Sequence, residues 1–506
     1  MSVRTEPSRL PTSLSADASA LLAGGWSALL TVLAAGLTLG FFGWYFLIVP
    51  LHRPLLSALG LPLGVVFGAA VILWCWTSYA HYFSRRAGIK YDRALQYDAI
   101  SWIAFLLLWF SFVAPLTLTH GTRTLVVSLA LFVLVKLIVA ARFNQTVREV
   151  SIDFVVTRIA IIVIAELAGV IIGQRAGTHI SESRHLLLSV WGHWDAVHYI
   201  DIATIGYHGT DLAFFPLYPF LISLLGGLTA NHLIAGLIIS NVAFFFGLLF
   251  LYKLVEHEFD RSVARRAIFY ISIFPTAVFF SAVYTESLFF MLTVASFYYV
   301  RERKWWLAGL FGLFAAMTRV EGVLLAVPFA IEWYGAYKDT PAKGFLNLIG
   351  GALIPLGLAI YMGYLWVLNG DPLYFSHVQA HWNRHLAPPW VSIGHAFHLL
   401  ATSQLPQTIA NQGLEIAFTA FMIGVLIIGW RRLRPAYIAY LGLSVLVPMS
   451  TSSLMSMPRF ALVLFPIFVL LGLWGKRPSV NNLIVAFSLP LLGLYTVLFA
   501  DWYWVA

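Results

Sequence analysis

The sequence predicts an all-α, polytopic membrane protein, and three features of the 506-residue chain carry that prediction. Hydrophobic residues make up 60% of the chain and charged residues 10%, and the mean hydropathy is +0.84. Apolar runs of roughly 20 residues, the length that a helix needs to cross a bilayer, recur along the whole chain. Lysines and arginines stand in short clusters between these runs, as in cytoplasmic loops. Because lipid offers no water to unpaired backbone groups, we expect helices rather than open sheets.

The apolar runs predict about 15 transmembrane helices, within a range of about 13–16. The first group of spans lies at about 21–49, 60–83, 98–118, 122–141 and 154–174. The later spans lie at about 231–252, 267–282, 284–300, 305–318, 321–336, 345–368, 413–430, 435–450, 459–473 and 480–500. Several later spans are shorter than a usual crossing, so we expect them to pack as short helical hairpins behind a cavity open to the outside.

The basic clusters predict the sidedness of these spans. Loop 84–97 carries four lysines or arginines, whereas the loops at 50–59 and 119–123, on the opposite side of the membrane, carry one arginine each. The positive-inside rule therefore places the polar N-terminal arm inside and the first long span as a signal anchor. It also makes 175–212 and 369–412 long external loops.

The segment 213–228 decides the sidedness of everything after it. It is apolar but short, and Pro216 and Pro219 each remove a backbone donor. We predict that it does not cross the bilayer, because only then do all later basic clusters lie inside. Residues 1–150, with four spans and little outward-facing polarity, are predicted to form an accessory transmembrane block before a catalytic domain at 151–506.

Composition and missing motifs exclude several functions. The net charge of +9 is spread over loop clusters, which argues against nucleic-acid binding. The single cysteine, Cys75, rules out an intramolecular disulfide and a CxxC metal site. The sequence has no Walker A loop, no GxSxG elbow and no GxGxxG after a strand, so ATP hydrolysis, serine hydrolysis and dinucleotide binding lack the residues they need.

The strongest chemical candidate is Asp195, in a predicted external loop that is rich in aspartate and histidine. Flanked by Trp194 and Tyr199, it is predicted to be a general base that deprotonates an acceptor hydroxyl. The alternative is a solvated loop carboxylate or a helix cap. His198 follows three residues later, on the same face of a helix. It would orient the base or contact a phosphate, or else be a hydrogen-bonded histidine in an aromatic cluster.

A metal site in this loop is the less favoured interpretation. Asp195, His198, Asp201 and Asp211 offer nitrogen and oxygen ligands, but no HExxH, DxD or CxxC spacing is present. We therefore expect no required cofactor, with a divalent metal as the alternative.

Charged residues in apolar surroundings form a second group of candidates. Glu286, Glu321 and Arg319 lie at predicted span ends, where an acidic group in a membrane is functional by default. A structural ion pair with Arg319 is the alternative. Arg384 and Arg459 lie at external helix or loop positions, where a cation could stabilise a leaving phosphate, although for either residue alone snorkelling to lipid headgroups is the more ordinary role.

The residues around Asp195 resemble a known family. The string Trp194-Asp195-Ala196-Val197-His198-Tyr199, followed by Gly206-Tyr207 and Phe214-Phe215-Pro216-Leu217-Tyr218-Pro219, is similar to the PIG-V-like mannosyltransferases of the GT-C superfamily. Later landmarks appear in the family's order, namely Tyr284-Thr285-Glu286-Ser287-Leu288-Phe289, the Arg319 region, Gln379-x-x-Trp382 and Pro458-Arg459-Phe460. The resemblance covers roughly 155–475. Here four spans precede the core, and Ala196 replaces the glycine common in the family.

This resemblance implies a GT-C-type fold and an inverting transfer of a sugar, expected to be mannose. The donor would be a polyprenyl- or dolichyl-phospho-sugar and the acceptor a lipid, glycan or protein outside the cytoplasm. Asp195 is the implied catalytic carboxylate. The implied substrate- and donor-binding residues are Trp194, His198, Tyr199, Tyr218, Glu286, Arg319, Glu321, Gln379, Trp382, Arg384 and Arg459.

The expected location is a prokaryotic plasma membrane with the active site outside, or the endoplasmic reticulum membrane with a lumenal site in a eukaryote. Two rivals stay open. One is a transporter or flippase of lipid-linked glycans that uses Glu286, Arg319 and Glu321 as a relay. The other is a non-catalytic membrane scaffold in which Asp195 is structural.

Overall fold

A computed structural model of the chain describes residues 91–108, 135, 144–172, 186–229, 231–339 and 341–505. The described residues form helices joined by short connections and no β-strand, apart from one isolated bridge between Leu386 and Thr451. Several of these helices are long and apolar enough to cross a bilayer. The predicted class, an all-α polytopic membrane protein, is confirmed.

The chain divides into two compact units, Met1–Asn144 and Gln145–Ala506. The first contains helix α1 (Tyr91–Leu108), which overlaps the predicted span 98–118. The predicted spans 21–49 and 60–83 lie outside the described residues, as does nearly all of 122–141. The predicted boundary at residue 150 and the accessory role of the first unit both stay predictions.

The second unit is a bundle of long and short helices. Its α-helices are α2 (Gln145–Ile171), α3 (Leu186–Ser189), α4 (Asp195–Ile205), α5 (Leu217–Thr229), α6 (His232–Glu258), α7 (Arg261–Ser272), α8 (Glu286–Arg301), α9 (Trp305–Ala316), α10 (Ala326–Asp339), α11 (Pro341–Asn369), α12 (Tyr374–His377), α13 (Pro389–Thr402), α14 (Pro406–Gly429), α15 (Pro435–Met449), α16 (Met457–Val463), α17 (Phe465–Trp474) and α18 (Pro478–Ala500). Short 3₁₀ helices lie at Val190–Gly192, Gly209–Ala213, Ala277–Phe280, Val320–Leu325 and Val378–Trp382.

Five helices in the described part of the chain are long and apolar enough to span a membrane. They are α2, α6, α14, α18 and the Leu346–Asn369 portion of α11. The pair α16 and α17, bent by 72° at its junction, would make a sixth if it crosses as one broken span. The predicted count of about fifteen is therefore not confirmed. Much of the difference comes from short helices such as α9 and α15, with 12 and 15 residues.

Two predicted spans are wrong as single helices. The span 267–282 ends as a helix at Ser272, and a 3₁₀ turn follows at Ala277–Phe280. Pro275 accounts for the break, because a proline disfavours helical geometry at the residue before it and supplies no amide donor. The span 459–473 breaks at Leu464, just before Pro466 in the first turn of α17. Hydropathy does not register either break, because each run stays apolar on average across it.

The segment 213–228 forms a short helix. Its helical part, α5, has 13 residues and therefore a length of about 20 Å, against a hydrocarbon thickness of about 30 Å. The helix is shorter than a full crossing, and the prediction that 213–228 does not cross the bilayer stays a prediction. The sidedness derived from it stays a prediction as well.

Helix α8 forms the core of the second unit. Twelve of its 16 residues are buried, and it packs against α6 and α9. A Cβ atom at Gly247 of α6 would lie 2.6 Å from Phe290 Cδ1, so the close approach of these helices requires a glycine. The helix begins at Glu286 and ends at Arg301, about 23 Å further along its axis.

Basic residues from separate helices meet around the Arg301 end of α8. Glu258 forms two ion pairs there, with Arg301 at 2.9 Å and with Arg434 at 3.1 Å. Arg301 also pairs with Glu332 at 2.9 Å. Clusters that the positive-inside rule assigns to one side of the membrane therefore contact one another. We call these four residues the basic-end cluster.

Candidate active site

Asp195 lies at a sharp change of backbone direction. It is the first residue of α4, and the preceding Trp194 has a φ of 58°, in the left-handed region. A bulky residue adopts this conformation only where its surroundings enforce it. The helix dipole stabilises a carboxylate in this first turn. The Asp195 side chain is 22% exposed, so a second molecule can reach it.

Aromatic residues around helix α18 hold this turn. The rings of Trp502 and Trp504 lie 5.7 Å and 5.4 Å from the ring of Trp194, between centroids. His193 stacks on Trp502 at 3.9 Å, and its Nδ1–H donates to the carbonyl oxygen of Phe499 at 3.1 Å. These contacts supply the external constraint that the Trp194 backbone requires.

Five predicted site residues form one chain of alternating charges. Arg459 Nη1 lies 2.7 Å from Asp195 Oδ2, and Arg459 Nη2 lies 2.7 Å from Glu286 Oε1. Arg319 Nη1 lies 3.0 Å from the same Glu286 oxygen, and its Nε lies 3.4 Å from Glu321 Oε2. The three carboxylates exceed the two guanidinium groups by one negative charge. We call these five residues the site network.

Burial in the network decreases from Glu286 through Arg459 to Asp195. Glu286 is fully buried, so the cost of its desolvation is offset by the two arginines that share it. The guanidinium groups also lie over aromatic rings, Arg459 4.8 Å from the centroid of Tyr284 and Arg319 5.2 Å from that of Phe460. Asp195 is the most exposed carboxylate of the network.

A buried arginine in α2 fixes the backbone that leads into α8. Arg158 Nη2 donates to the carbonyl oxygen of Ser272 at 2.9 Å, where α7 ends. Its Nη1 donates to the carbonyl of Ala277 at 3.0 Å and to Ser281 Oγ at 3.1 Å. Backbone carbonyls that the helix break leaves unpaired thereby gain donors. The connection that delivers Glu286 to the network is thus rigidly held.

A glutamate in α14 fixes the backbone on the other side of the network. Glu415 is 5% exposed, and its oxygens accept the backbone N–H groups of Ser456 at 2.9 Å and Met457 at 2.8 Å. These amides precede Arg459 at the start of α16.

His198 binds a neighbouring aspartate rather than Asp195. Its Nδ1–H donates to Asp211 Oδ1 at 2.7 Å, and its ring stacks on Phe214 at 4.6 Å. Burial disfavours the charged imidazole, but the hydrogen bond to Asp211 and the charges of Asp211, Asp195 and Asp201 outweigh it and raise the pKa of His198 above its ordinary value. The pair links α4 to the 3₁₀ turn at Gly209–Ala213.

The 369–412 segment brings three predicted residues toward this region. Trp382 lies edge-on to His198 and to Phe214, each at 6.3 Å between centroids. Gln379 lies in the same 3₁₀ turn and is partly exposed.

Arg384 follows that turn and is the arginine of the predicted set that lies outside the site network. Its buried Nε has no hydrogen-bond partner among the described residues. Burial lowers the pKa of Arg384, against the opposing charges of Glu321 and Glu415.

Tyr199 and Tyr218 are buried against each other, edge to face at 5.2 Å. Tyr199 shares a hydrogen bond of 3.3 Å with the Thr285 hydroxyl, one residue before Glu286. The Tyr218 hydroxyl hydrogen-bonds with Ser240 at 2.7 Å and donates to the carbonyl of Gly236 at 3.1 Å. These contacts connect helices, and the predicted roles of both tyrosines in donor binding stay predictions.

Three residues with direct roles in this geometry were not among the predicted site residues. Asp211 pairs with His198, while Glu415 and Arg158 hold the two connections. A charge inside an apolar run was the available signal for Glu415 and Arg158. Among the described residues, no three His, Cys, Asp or Glu side chains come together as a metal-binding group.

Comparison with known proteins gives a family for part of the chain. The profile of the family described as mannosyltransferase (PIG-V) matches residues 175–339. GPI mannosyltransferase 2 of Yarrowia lipolytica is 27% identical over 206 residues, which cover 38% of this chain and 57% of that protein. GPI mannosyltransferase 2 of Cryptococcus neoformans is 31% identical over 159 residues, covering 29% and 37%. Human GPI alpha-1,6-mannosyltransferase 2 is 26% identical over 261 residues, covering 39% and 52%.

The matched region contains most of the site described above. It includes Asp195, Glu286, Arg319 and Glu321, whereas Arg459 lies beyond it. The chain spans about half the length, or less, of these relatives.

Proposed function

We propose that this chain, which matches the PIG-V family profile over residues 175–339, is an integral-membrane mannosyltransferase of that family. Its donor is a polyprenyl- or dolichyl-phospho-mannose and its acceptor a glycan-bearing molecule outside the cytoplasm. The observation that carries this proposal is the site network, which lies largely within the matched region and ends on one accessible carboxylate, Asp195.

The proposed reaction is a single inverting displacement. Asp195 accepts the proton of an acceptor hydroxyl, whose oxygen attacks the anomeric carbon from the face opposite the phosphate. The bond between that carbon and the phosphate oxygen breaks, and polyprenyl phosphate leaves with the bonding electrons. The proton passes from Asp195 to water. Among the network carboxylates Asp195 suits this role best, because Glu286 is fully buried and shared by two arginines.

The leaving phosphate requires a cation, and we propose Arg384 for this role. Arg459 and Arg319 are both engaged by carboxylates, whereas the buried Nε of Arg384 lacks a partner among the described residues. A guanidinium group suits a phosphate because its planar donors match the phosphate oxygens. Phosphate is already a good leaving group, so we propose that no metal ion is required.

The proposed sidedness rests on the opposite ends of α8. The basic-end cluster gathers loops with the composition of cytoplasmic loops, and Glu286 begins the same helix about 23 Å away. This arrangement supports a site on the extracytoplasmic side, at a prokaryotic plasma membrane or in the endoplasmic reticulum of a eukaryote. No specific contact favours the rival transporter or flippase, since its three relay residues are paired with one another.

The donor is tested with purified protein in proteoliposomes. Polyprenyl-phospho-mannose, polyprenyl-phospho-glucose and GDP-mannose, each radiolabelled in the sugar, are supplied with an extract of the source membranes as acceptor. We expect transfer from polyprenyl-phospho-mannose, with or without EDTA. Transfer from GDP-mannose alone would contradict the donor assignment, and movement of intact donor across the bilayer without transfer would favour a flippase.

The base is tested by Asp195→Asn, which keeps the size of the side chain but cannot accept the proton. Turnover should fall by ~10²-fold or more, with little change in donor binding. Asp201→Asn is the matched control, because Asp201 lies in the same helix but outside the network. It should keep turnover within about threefold. A folded Asp195→Asn protein with the original turnover would remove Asp195 from the mechanism.

A further inference from the structure

Glu415 is a carboxylate inside a helix long and apolar enough to span the membrane, and it binds two backbone amides. It lies in α14, among apolar residues, and is 5% exposed. Its Oε1 accepts the backbone N–H of Ser456 at 2.9 Å and its Oε2 that of Met457 at 2.8 Å. An acidic group is costly in this environment, so its retention requires a compensating interaction. The two amides supply it.

The two amides lie at the start of α16, where no earlier turn of the helix pairs the first N–H groups, and that of Met457 also donates to the carbonyl oxygen of Leu454 at 3.3 Å. A carboxylate there gains from charge-assisted hydrogen bonds and from the helix dipole. Ser456 has a φ of 74°, a left-handed conformation that is unusual for a residue other than glycine. The Glu415 carboxylate holds both this conformation and the first turn of α16.

Arg459 lies two residues after Met457, in the first turn of α16. Its guanidinium group contacts Asp195 and Glu286, each at 2.7 Å. Helix α16 has only seven residues and meets α17 at 72°, so a long regular helix does not fix its direction. The position of the guanidinium group therefore depends on how the start of α16 is held.

We propose that Glu415 is a positioning residue that sets Arg459, and through it Asp195, by binding the first amides of α16. The proposal rests on the proposed function, because the consequence of this positioning is measured as transfer. Glu415 contacts neither Asp195 nor the reacting atoms in this scheme, so it is expected to change kcat more than the donor KM.

The test combines Glu415→Gln with Arg459→Lys. Glutamine keeps the size of the side chain but directs an NH₂ group at one backbone N–H. We expect kcat to fall about tenfold or more, with the donor KM changed less than about threefold. In the Arg459→Lys background the same substitution should lower kcat by less than about threefold, because residues that act through one another are not additive. Equal losses in both backgrounds would overturn the proposal.

Thr419→Val is the control for loss of a buried polar group one turn away in α14, where the Thr419 hydroxyl donates to the carbonyl of Glu415. It should keep kcat within about threefold of the wild type. A similar loss in both variants would mean that Glu415→Gln acts through general destabilisation of α14.

Hydrogen exchange of the 454–460 region tests the same idea without activity. Exchange at Ser456 and Met457 should accelerate about tenfold or more in Glu415→Gln and stay unchanged in Thr419→Val. Unchanged exchange in Glu415→Gln would overturn the proposal even if transfer fell. If the wild type transfers no mannose, the proposed function fails, and the exchange result alone decides whether Glu415 holds the start of α16.

Discussion

The two ends of α8 contain the same kind of ion cluster, but the backbone around the two clusters differs. In each cluster two arginines share one buried glutamate: Arg459 and Arg319 share Glu286, and Arg301 and Arg434 share Glu258. Glu286 is 0% exposed in its side chain and Glu258 is 3% exposed. Burial and pairing therefore do not distinguish a site from a structural cluster.

The backbone and the accessible end of each cluster do distinguish them. In the site network, Arg459 and Glu286 follow breaks between helices, and the outermost group is the carboxylate of Asp195. In the basic-end cluster, Glu258 and Arg301 are the last residues of regular helices, and the most exposed group is Arg434. Irregular backbone inside a membrane protein requires dedicated donors and acceptors. Its presence around a charged network indicates function more strongly than the ion pairs do.

The largest effect should come from replacing the shared glutamate at each end. Glu286→Gln and Glu258→Gln both leave two arginines without their common partner, which costs about 3–5 kcal/mol of stability for a buried pair. Only Glu286→Gln should also lower transfer per folded molecule, by ~10²-fold, because it releases Arg459, which contacts Asp195.

Thermal unfolding in detergent and transfer normalised to folded protein, measured for both variants, separate these effects. Glu258→Gln should lose stability while its normalised transfer stays within about twofold. If both variants lose transfer equally, the proposed division between a functional and a structural end is wrong.

A smaller effect is expected at Arg384. Arg384→Lys keeps the charge but removes the planar donors that suit a phosphate, so the donor KM should rise about tenfold with a smaller change in kcat. Arg434→Lys is the matched change at the other end and should leave the KM unchanged. Donor titrations with both proteins make the comparison. An unchanged KM in Arg384→Lys would remove Arg384 from phosphate binding.

The sequence predicted the helical class and the long spans because composition and run length determine them. The runs 231–252, 345–368 and 480–500 correspond to α6, α11 and α18. Breaks were missed where a proline interrupts an apolar run, since such a run has the same hydropathy with or without the break. For the same reason, a prediction from run length alone treated each short helix as a full span.

The sequence predicted which residues form the site but not which of them contact one another. Glu286, Arg319 and Glu321 were identifiable because charge is rare in apolar surroundings. The contact between Asp195 and Arg459 joins residues 264 positions apart, and nothing local in the sequence encodes that pairing. Glu415 carried the same signal as Glu286 but lacked a family motif around it.

The smallest effect expected is the pH dependence of the stability that the His198–Asp211 pair contributes. This pair lies near the site network, at the Glu286 end of α8. Burial opposes the charged imidazole, but the hydrogen bond to Asp211 and the nearby carboxylates raise the folded-state pKa of His198 above the ordinary value of 6.5. A raised pKa stabilises the protonated folded form. This stabilisation is complete below the unfolded pKa, near 6.5, and is lost as the pH rises through the folded pKa.

His198→Asn keeps a neutral donor toward Asp211 and removes the titration. The melting temperature of the wild type relative to this variant should therefore be higher at pH 6 than at pH 8.5, by about 1 °C. A constant difference between wild type and His198→Asn at both pH values would mean that the protonated imidazole does not stabilise this end of the molecule.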